Sequence, residues 1–220
     1  MPSGLGIPVI VTRAEPGASE TAARLAAMGL QPVRAPVLTL KPNADTPILH
    51  AEALSGLVFT SANGVRCYAA RAVDRDLPAW CVGPATARAA REAGFDQVFE
   101  SAGNASDLAA FIATHTKPDR KPLLHVANTA AKGDLKRRLE QASFKVTFCP
   151  LYKMVAASEL PAAVQALLGS EAPAIVLIHS AKGAEAFASL VQTLPTGQLI
   201  AGRWCGGCGS RSILGWRYSP

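Results

Sequence analysis

Long apolar runs are missing from this chain of 220 residues. The N-terminal segment Ile7 to Val11 is far too short for a signal-peptide core or for a membrane span of about 20 residues. Aromatic side chains are scarce at 6%, which leaves few platforms for stacking bases. The net charge of +6 is modest and scattered. Only Lys132 to Arg138 forms a basic cluster, and Asp134 interrupts it. A nucleic-acid binder carries a denser basic stripe, so a small anionic ligand fits better than a polymer. Cysteine is sparse and uneven: Cys67, Cys81, Cys149, Cys205 and Cys208 make no disulfide framework and point to a reducing cytoplasm. The one close pair, Cys205-Gly206-Gly207-Cys208, has no second pair and no neighbouring histidine, so it reads as neither zinc site nor redox site. No dinucleotide or P-loop glycine motif follows a strand, which speaks against a nucleotide enzyme. No nucleophile–base set and no metal cluster is evident.

One pattern recurs instead. A short apolar run ends in small polar residues and a helix-like stretch follows. It appears at Val9-Ile10-Val11-Thr12-Arg13, at Val58-Phe59-Thr60-Ser61-Ala62-Asn63-Gly64 and at Trp80-Cys81-Val82-Gly83-Pro84-Ala85-Thr86. It returns at Leu124-His125-Val126-Ala127-Asn128-Thr129 and at Val176-Leu177-Ile178-His179-Ser180-Ala181-Lys182-Gly183. Each reads as a strand that delivers a loop to a helix start, where free backbone N–H groups can hold carboxylates or phosphates. Between these loops, Ser19 is placed to cap a helix with Ala22, Leu25, Ala26 and Met28 on one face, stopped at Gly29. Thr86 to Ala93 is alanine-rich and ends at Gly94. Ser106 is expected to cap a helix with Leu108, Phe111 and Ile112 inward, and Ser158 another with Leu160, Val164, Leu167 and Leu168. Alternating strands and helices predict an α/β fold with parallel sheets and ligands at the strand carboxyl ends.

The chain also repeats itself. Phe59-Thr60-Ser61-Ala62-Asn63-Gly64-Val65 resembles Ile178-His179-Ser180-Ala181-Lys182-Gly183-Ala184, with Ser61 and Ser180 separated by 119 positions. Val11-Thr12 and Ala127-Asn128 stand at nearly the same offset, as do Ala35-Pro36-Val37-Leu38 and Cys149-Pro150-Leu151-Tyr152. A period this long means two similar domains rather than a solenoid. The two proline segments read as paired crossover strands. The expected division is residues 1–36 plus 156–220 for a discontinuous domain, 40–148 for an inserted one, and 35–41 with 147–156 as linker strands. The repeat has one telling asymmetry: Tyr152 stands where the first half has Leu38.

With these pieces assembled, the chain resembles the uroporphyrinogen-III synthase family. The matching segments are Thr12-Arg13, Phe59 to Val65, Val82-Gly83-Pro84-Ala85-Thr86-Ala87, Gly133-Asp134-Leu135, Leu151-Tyr152 and His179-Ser180-Ala181. The resemblance lies in their order and spacing over about residues 7 to 200 rather than in any one motif. It implies two flavodoxin-like α/β domains on a two-stranded linker, with the active site in the cleft between them. It implies closure of the linear tetrapyrrole hydroxymethylbilane, with loss of water and inversion of ring D, without a metal or organic cofactor. The chemistry of the residues agrees. The substrate carries acetate and propionate arms that suit loop N–H groups and Ser/Thr hydroxyls. Water loss gives an azafulvene cation that closes unaided to the uninverted isomer. The enzyme's task is therefore to hold the last ring, with modest acid help.

Tyr152 matches the family's tyrosine and is the candidate for polarising the leaving hydroxyl. Thr60, Ser61, Asn63, Gly83, Thr86 and Ser180 match its binding loops, and capping is compatible with binding at each. Thr12 and Arg13 follow the first strand; Arg13 can clamp a carboxylate or pair structurally. Asn128, followed by Thr129, stands where many family members place Arg and Gly, which weakens a charged clamp there. His125 and His179 read as buried strand histidines, and Lys132 and Lys182 as solvated. The expected partner is hydroxymethylbilane, with no nucleic acid, no membrane and a monomeric state. The competing readings are a two-domain module that binds a small anion, and a catalytically impaired relative. The latter arises because residues 202–220 break the pattern: by the repeat they should mirror Val82 to Phe99, yet glycines replace the alanines of the helix. An altered or truncated C-terminus, such as a local frame change produces, is the expectation for this tail.

Overall fold

Val9, Ile10 and Val11 are buried on both faces of β1 (Pro8–Val11), the signature of a parallel strand covered by helices on two sides. The computed structural model describes residues 6–131, 133–170, 172–194, 199–203 and 216–217. After β1 come α1 (Gly17–Ala27), β2 (Gln31–Arg34) and β3 (Leu38–Pro42). A 3-10 turn at Ala51–Ala53 leads to β4 (Gly56–Phe59), α2 (Ala62–Ala69), β5 (Ala79–Val82), α3 (Gly83–Glu92), β6 (Val98–Ser101) and α4 (Ala105–His115). β7 (Leu123–Asn128), α5 (Asp134–Gln141), β8 (Val146–Ala156), α6 (Ala162–Leu168), β9 (Ala174–Ile178) and α7 (Ala181–Val191) follow. β10 (Leu199–Arg203) and β11 (Trp216–Arg217) are the last described elements.

The chain divides into two compact units: Met1–Leu40 with Met154–Pro220, and Lys41–Lys153. Both crossings fall inside strands, the first in β3 and the second in β8. The first unit holds a sheet of order β11-β10-β9-β1-β2, and the other sheet runs β3-β8-β7-β4-β5-β6. Read from one end, β2-β1-β9-β10-β11 matches β8-β7-β4-β5-β6 position for position. The sequence repeat is thus a repeat of topology. The last position differs: β6 pairs parallel with β5, whereas β11 pairs antiparallel with β10.

In the second unit every residue of β4 is buried. One face packs Phe59 edge-on against Tyr68 and Phe95, with ring centroids 5.9 and 5.8 Å away. The other packs Val58 and Trp80 against Leu108, Ile112, Leu135 and Leu139, with Trp80 stacked on Phe99 at 4.3 Å. In the first unit Ile10 and Val176 meet Val164 and Phe187 on one face; Val9, Val11 and Leu177 meet Ala18 and Leu25 on the other.

Three helix starts differ from the sequence expectation. α1 begins at Gly17, before Ser19, because the Glu15 carboxylate caps from outside and accepts from Ser19 N at 3.0 Å. Its buried face is therefore Gly17, Ala18, Thr21 and Leu25, and Met28 is 52% exposed. Asn104, not Ser106, caps α4: its Oδ1 accepts from Ser106 N at 2.7 Å while its own N–H donates to Asp107 Oδ2 at 2.8 Å. α6 begins after Pro161 rather than at Ser158, since a proline drives its predecessor into extended backbone. The anomalous tail, including Cys205 to Cys208, lies outside the described residues apart from the backbone of β10 and β11.

Candidate active site

Ser61 and Ser180 follow β4 and β9 in extended backbone, with φ/ψ of −158°/152° and −157°/157°. Each turns its hydroxyl back to cap the helix that follows. Ser61 Oγ accepts from Gly64 N at 3.3 Å and Ser180 Oγ from Gly183 N at 3.1 Å. Gly64 is needed for the approach of α2 to the sheet: a Cβ there would stand 3.0 Å from the Val126 carbonyl oxygen. The two loops are local copies, yet their surroundings differ.

The difference is Tyr152. Through Pro150 the strands β7 and β8 pair residue by residue, Ala127 opposite Pro150. The register then slips, so that Asn128 faces Tyr152 and Leu151 is left without an opposite number. A slip of this kind bends a strand and re-aims a side chain. Leu151 and Tyr152 are both buried as a result, and Thr129 N donates to the Tyr152 carbonyl oxygen at 2.8 Å. The phenol oxygen stands 2.7 Å from Ser61 Oγ. Burial pushes the Tyr152 phenol above its ordinary range, the Ser61 hydrogen bond opposes that shift, and the nearby Cys67 thiol adds to it.

The other candidates of this unit share the carboxyl edge of its parallel strands. Thr60 and Asn63 flank Ser61 half-buried, and no hydrogen bond among the described residues occupies either side chain. Gly83 opens α3 at φ +70°, a left-handed value that glycine adopts without strain. Val82 precedes it and supplies no side-chain cap, while Thr86 is buried one turn on. Asn128 Oδ1 accepts from Ala130 N at 2.9 Å and so shapes its own loop. A cavity of about 480 Å³ in this unit, lined by Asp45, Leu49, Thr147 and Phe148 among others, touches none of these residues.

In the other unit the loops after β1 and β9 again share one sheet edge. Thr12 is buried and donates its hydroxyl proton to the Leu177 carbonyl oxygen at 2.7 Å, which ties β1 to β9. The Arg13 side chain lies over Gly17 at the start of α1. No hydrogen bond or ion pair among the described residues engages its guanidinium. His179 precedes Ser180, and neither ring nitrogen has a full hydrogen-bond partner. Burial and the Arg13 charge push its pKa down to about 4, with the Leu177 carbonyl opposing. His125, in the middle of β7, is likewise unpartnered and is pushed down to about 4 by burial alone. Lys182 is exposed and donates to the Met154 carbonyl oxygen at 3.2 Å; Lys132 lies outside the described residues. No group of three or more His, Cys, Asp or Glu that could hold a metal occurs among the described residues.

Sequence reasoning named Tyr152 and Ser61 separately and missed that they touch. The asymmetry of the repeat singles out Tyr152, but nothing in the sequence places it against Ser61.

A family model described as uroporphyrinogen-III synthase HemD matches residues 19–202. Among solved structures, the fold is similar to the uroporphyrinogen-III synthetase of Helicobacter pylori 26695, with TM-score 0.60, 15% identity, and coverage of 90% of this chain and 83% of that one. It is also similar to a mutant uroporphyrinogen III synthase of the extremely thermophilic bacterium Thermus thermophilus, with TM-score 0.52, 15% identity, and coverage of 90% and 84%. No curated protein matches the chain by sequence.

Proposed function

The chain belongs to the uroporphyrinogen-III synthase family, and from that premise we propose that Tyr152 is the acid by which it closes hydroxymethylbilane to uroporphyrinogen III. The observation that carries the residue assignment is the buried phenol of β8, hydrogen-bonded to Ser61 in the loop that follows β4.

The reaction needs the hydroxymethyl oxygen to leave. Tyr152 donates its phenolic proton to that oxygen, the C–O bond breaks with its electron pair on oxygen, and water departs. An azafulvene cation and a phenolate remain. The substituted α-carbon of the last ring attacks the cation to give a spiro intermediate. The bond from that carbon to its original methylene bridge then breaks to leave a new azafulvene cation. The free α-carbon of the ring closes on it and gives its proton back to the phenolate. A phenol is protonated at neutral pH; burial raises its pKa and weakens it as an acid, and the Ser61 hydrogen bond opposes that shift. Acid help is only part of the task, since the unassisted cation closes to the wrong isomer. Selectivity comes from holding the rings by their carboxylate arms. Thr60, Asn63, Gly83, Thr86 and Asn128 in one unit, and Arg13 and Ser180 in the other, are the residues we assign to that grip. Arg13 is the strongest of them in charge, with its guanidinium unengaged among the described residues.

In this reading the chain works as a cytoplasmic monomer in tetrapyrrole biosynthesis, without metal or organic cofactor. The thiols of Cys67, Cys81 and Cys149 are free, and no helix among the described residues is long and apolar enough to cross a membrane. Freshly prepared hydroxymethylbilane, incubated with the protein and oxidised, separates the readings by uroporphyrin isomer. Type III product supports the enzyme. Type I alone, as in a protein-free control, removes the activity and leaves an anion-binding module.

A further inference from the structure

We infer that Ser61 is a positioning residue that frees and aims the Tyr152 proton, in addition to capping α2. The inference rests on the reading of Tyr152 as the acid.

Hydrogen-bond accounting carries it. A serine hydroxyl has one proton to give and two lone pairs to accept with. Ser61 Oγ accepts from Gly64 N, which has no capacity to take a proton back. Among the described residues, the acceptor in reach of the Ser61 proton is Tyr152 Oη, 2.7 Å away. If the phenol donated to the serine instead, the Ser61 proton would have no partner and the Tyr152 proton would be spent inside the protein. With Ser61 donating, the Gly64 N–H and the Ser61 O–H are both used, and the phenolic O–H is the one donor left without a protein acceptor among the described residues, open to the leaving oxygen. The same bond strengthens as the phenol becomes phenolate, because a hydrogen bond to an ion is worth more than one to a neutral group. The first-turn N–H of α2 then acts on the developing charge through one hydroxyl.

The repeat supplies an internal control. Ser180 caps α7 in the same backbone conformation, with its Oγ 3.1 Å from Gly183 N. The repeat mate of Tyr152 is Leu38, and among the described residues no phenol is hydrogen-bonded to that cap. Capping alone does not call for a tyrosine, and the Ser61–Tyr152 bond is an addition to it. The slipped register of β8 that aims Tyr152 is a second element serving the same contact.

The test is a double-mutant cycle in the full-length protein with hydroxymethylbilane as substrate. Ser61→Gly is the key variant, since glycine at a helix cap costs only a few tenths of a kcal/mol and the fold survives. It should lower kcat by about tenfold or more with KM little changed, and Ser61→Thr should restore most of the rate. In a Tyr152→Phe background, Ser61→Gly should have almost no further effect. The inference is overturned if Ser61→Gly leaves kcat unchanged, acts on KM alone, or multiplies undiminished with Tyr152→Phe. A second readout needs no turnover. In a pH jump followed at the tyrosinate absorbance, with the Tyr152→Phe signal subtracted, Ser61→Gly should move the Tyr152 midpoint upward and Ser61→Thr should return it. An unmoved midpoint contradicts the inference even if wild-type protein makes no type III product, an outcome that would sink the enzyme reading separately.

Discussion

Tyr152 Oη and Ser61 Oγ, 91 residues apart in sequence, stand 2.7 Å from one another and join β8 to the cap of α2. The phenol is buried and its pKa lies above the ordinary value of 10. A group raised in this way keeps its proton through the whole neutral range and loses it only in strong alkali. Turnover should therefore show no fall between pH 7 and 9 from ionisation of the acid. A pH profile of kcat checks this, and an alkaline limb already developed by pH 8 would contradict it.

Arg13 tests the grip rather than the chemistry. In the proposed grip its charge would meet a carboxylate equally in substrate and transition state, so Arg13→Gln should raise KM, by about tenfold, and leave kcat nearly unchanged. Steady-state kinetics at low and high salt resolve the two constants. A loss confined to kcat would place Arg13 in the reacting centre.

Gly64 tests the seating of the helix. A Cβ at Gly64 would stand 3.0 Å from the Val126 carbonyl oxygen, and backbone on both sides cannot yield easily. Gly64→Ala should cost about 1–3 kcal/mol in denaturant unfolding. It should also slow turnover, because a displaced α2 carries Ser61 away from Tyr152. An unaffected midpoint would show that the helix has slack.

His125 makes stability depend on pH. Its folded pKa is about 4 against an ordinary 6.5, and the ring is 2% exposed. The unfolded chain binds the proton more readily, so the neutral ring's contribution is complete above 6.5 and is lost as pH falls toward 4. The span corresponds to roughly 3 kcal/mol. Chemical denaturation of wild type between pH 7 and 4 should show that loss together with a similar one from His179, and His125→Leu should remove about half of the total. Equal slopes for both proteins would move the cause elsewhere.

Much of this was legible in the sequence. The strand-loop-helix pattern fixed the parallel sheets because Val9-Ile10-Val11 and Leu57-Val58-Phe59 can be buried on both faces only there. The serine caps at Ser61 and Ser180 followed from small polar residues at strand ends. Caps supplied from a distance did not show: Glu15 acts four residues before Ser19, and Asn104 outcompetes Ser106 through its reciprocal bond with Asp107. The Ser61–Tyr152 contact was also out of reach, since it depends on a one-residue slip in the pairing of β7 and β8 that no local pattern announces. Thr12 looked like a loop hydroxyl, yet its proton is committed to the Leu177 carbonyl, a partner 165 residues away.

The most direct measurement is the isomer ratio formed from hydroxymethylbilane by wild type and Tyr152→Phe side by side, with a protein-free control. Wild type should give predominantly uroporphyrinogen III. Tyr152→Phe should slow turnover by about a hundredfold, so that unassisted closure supplies type I instead, while its thermal unfolding stays close to that of wild type. A Tyr152→Phe protein that makes type III at the wild-type rate would contradict the account.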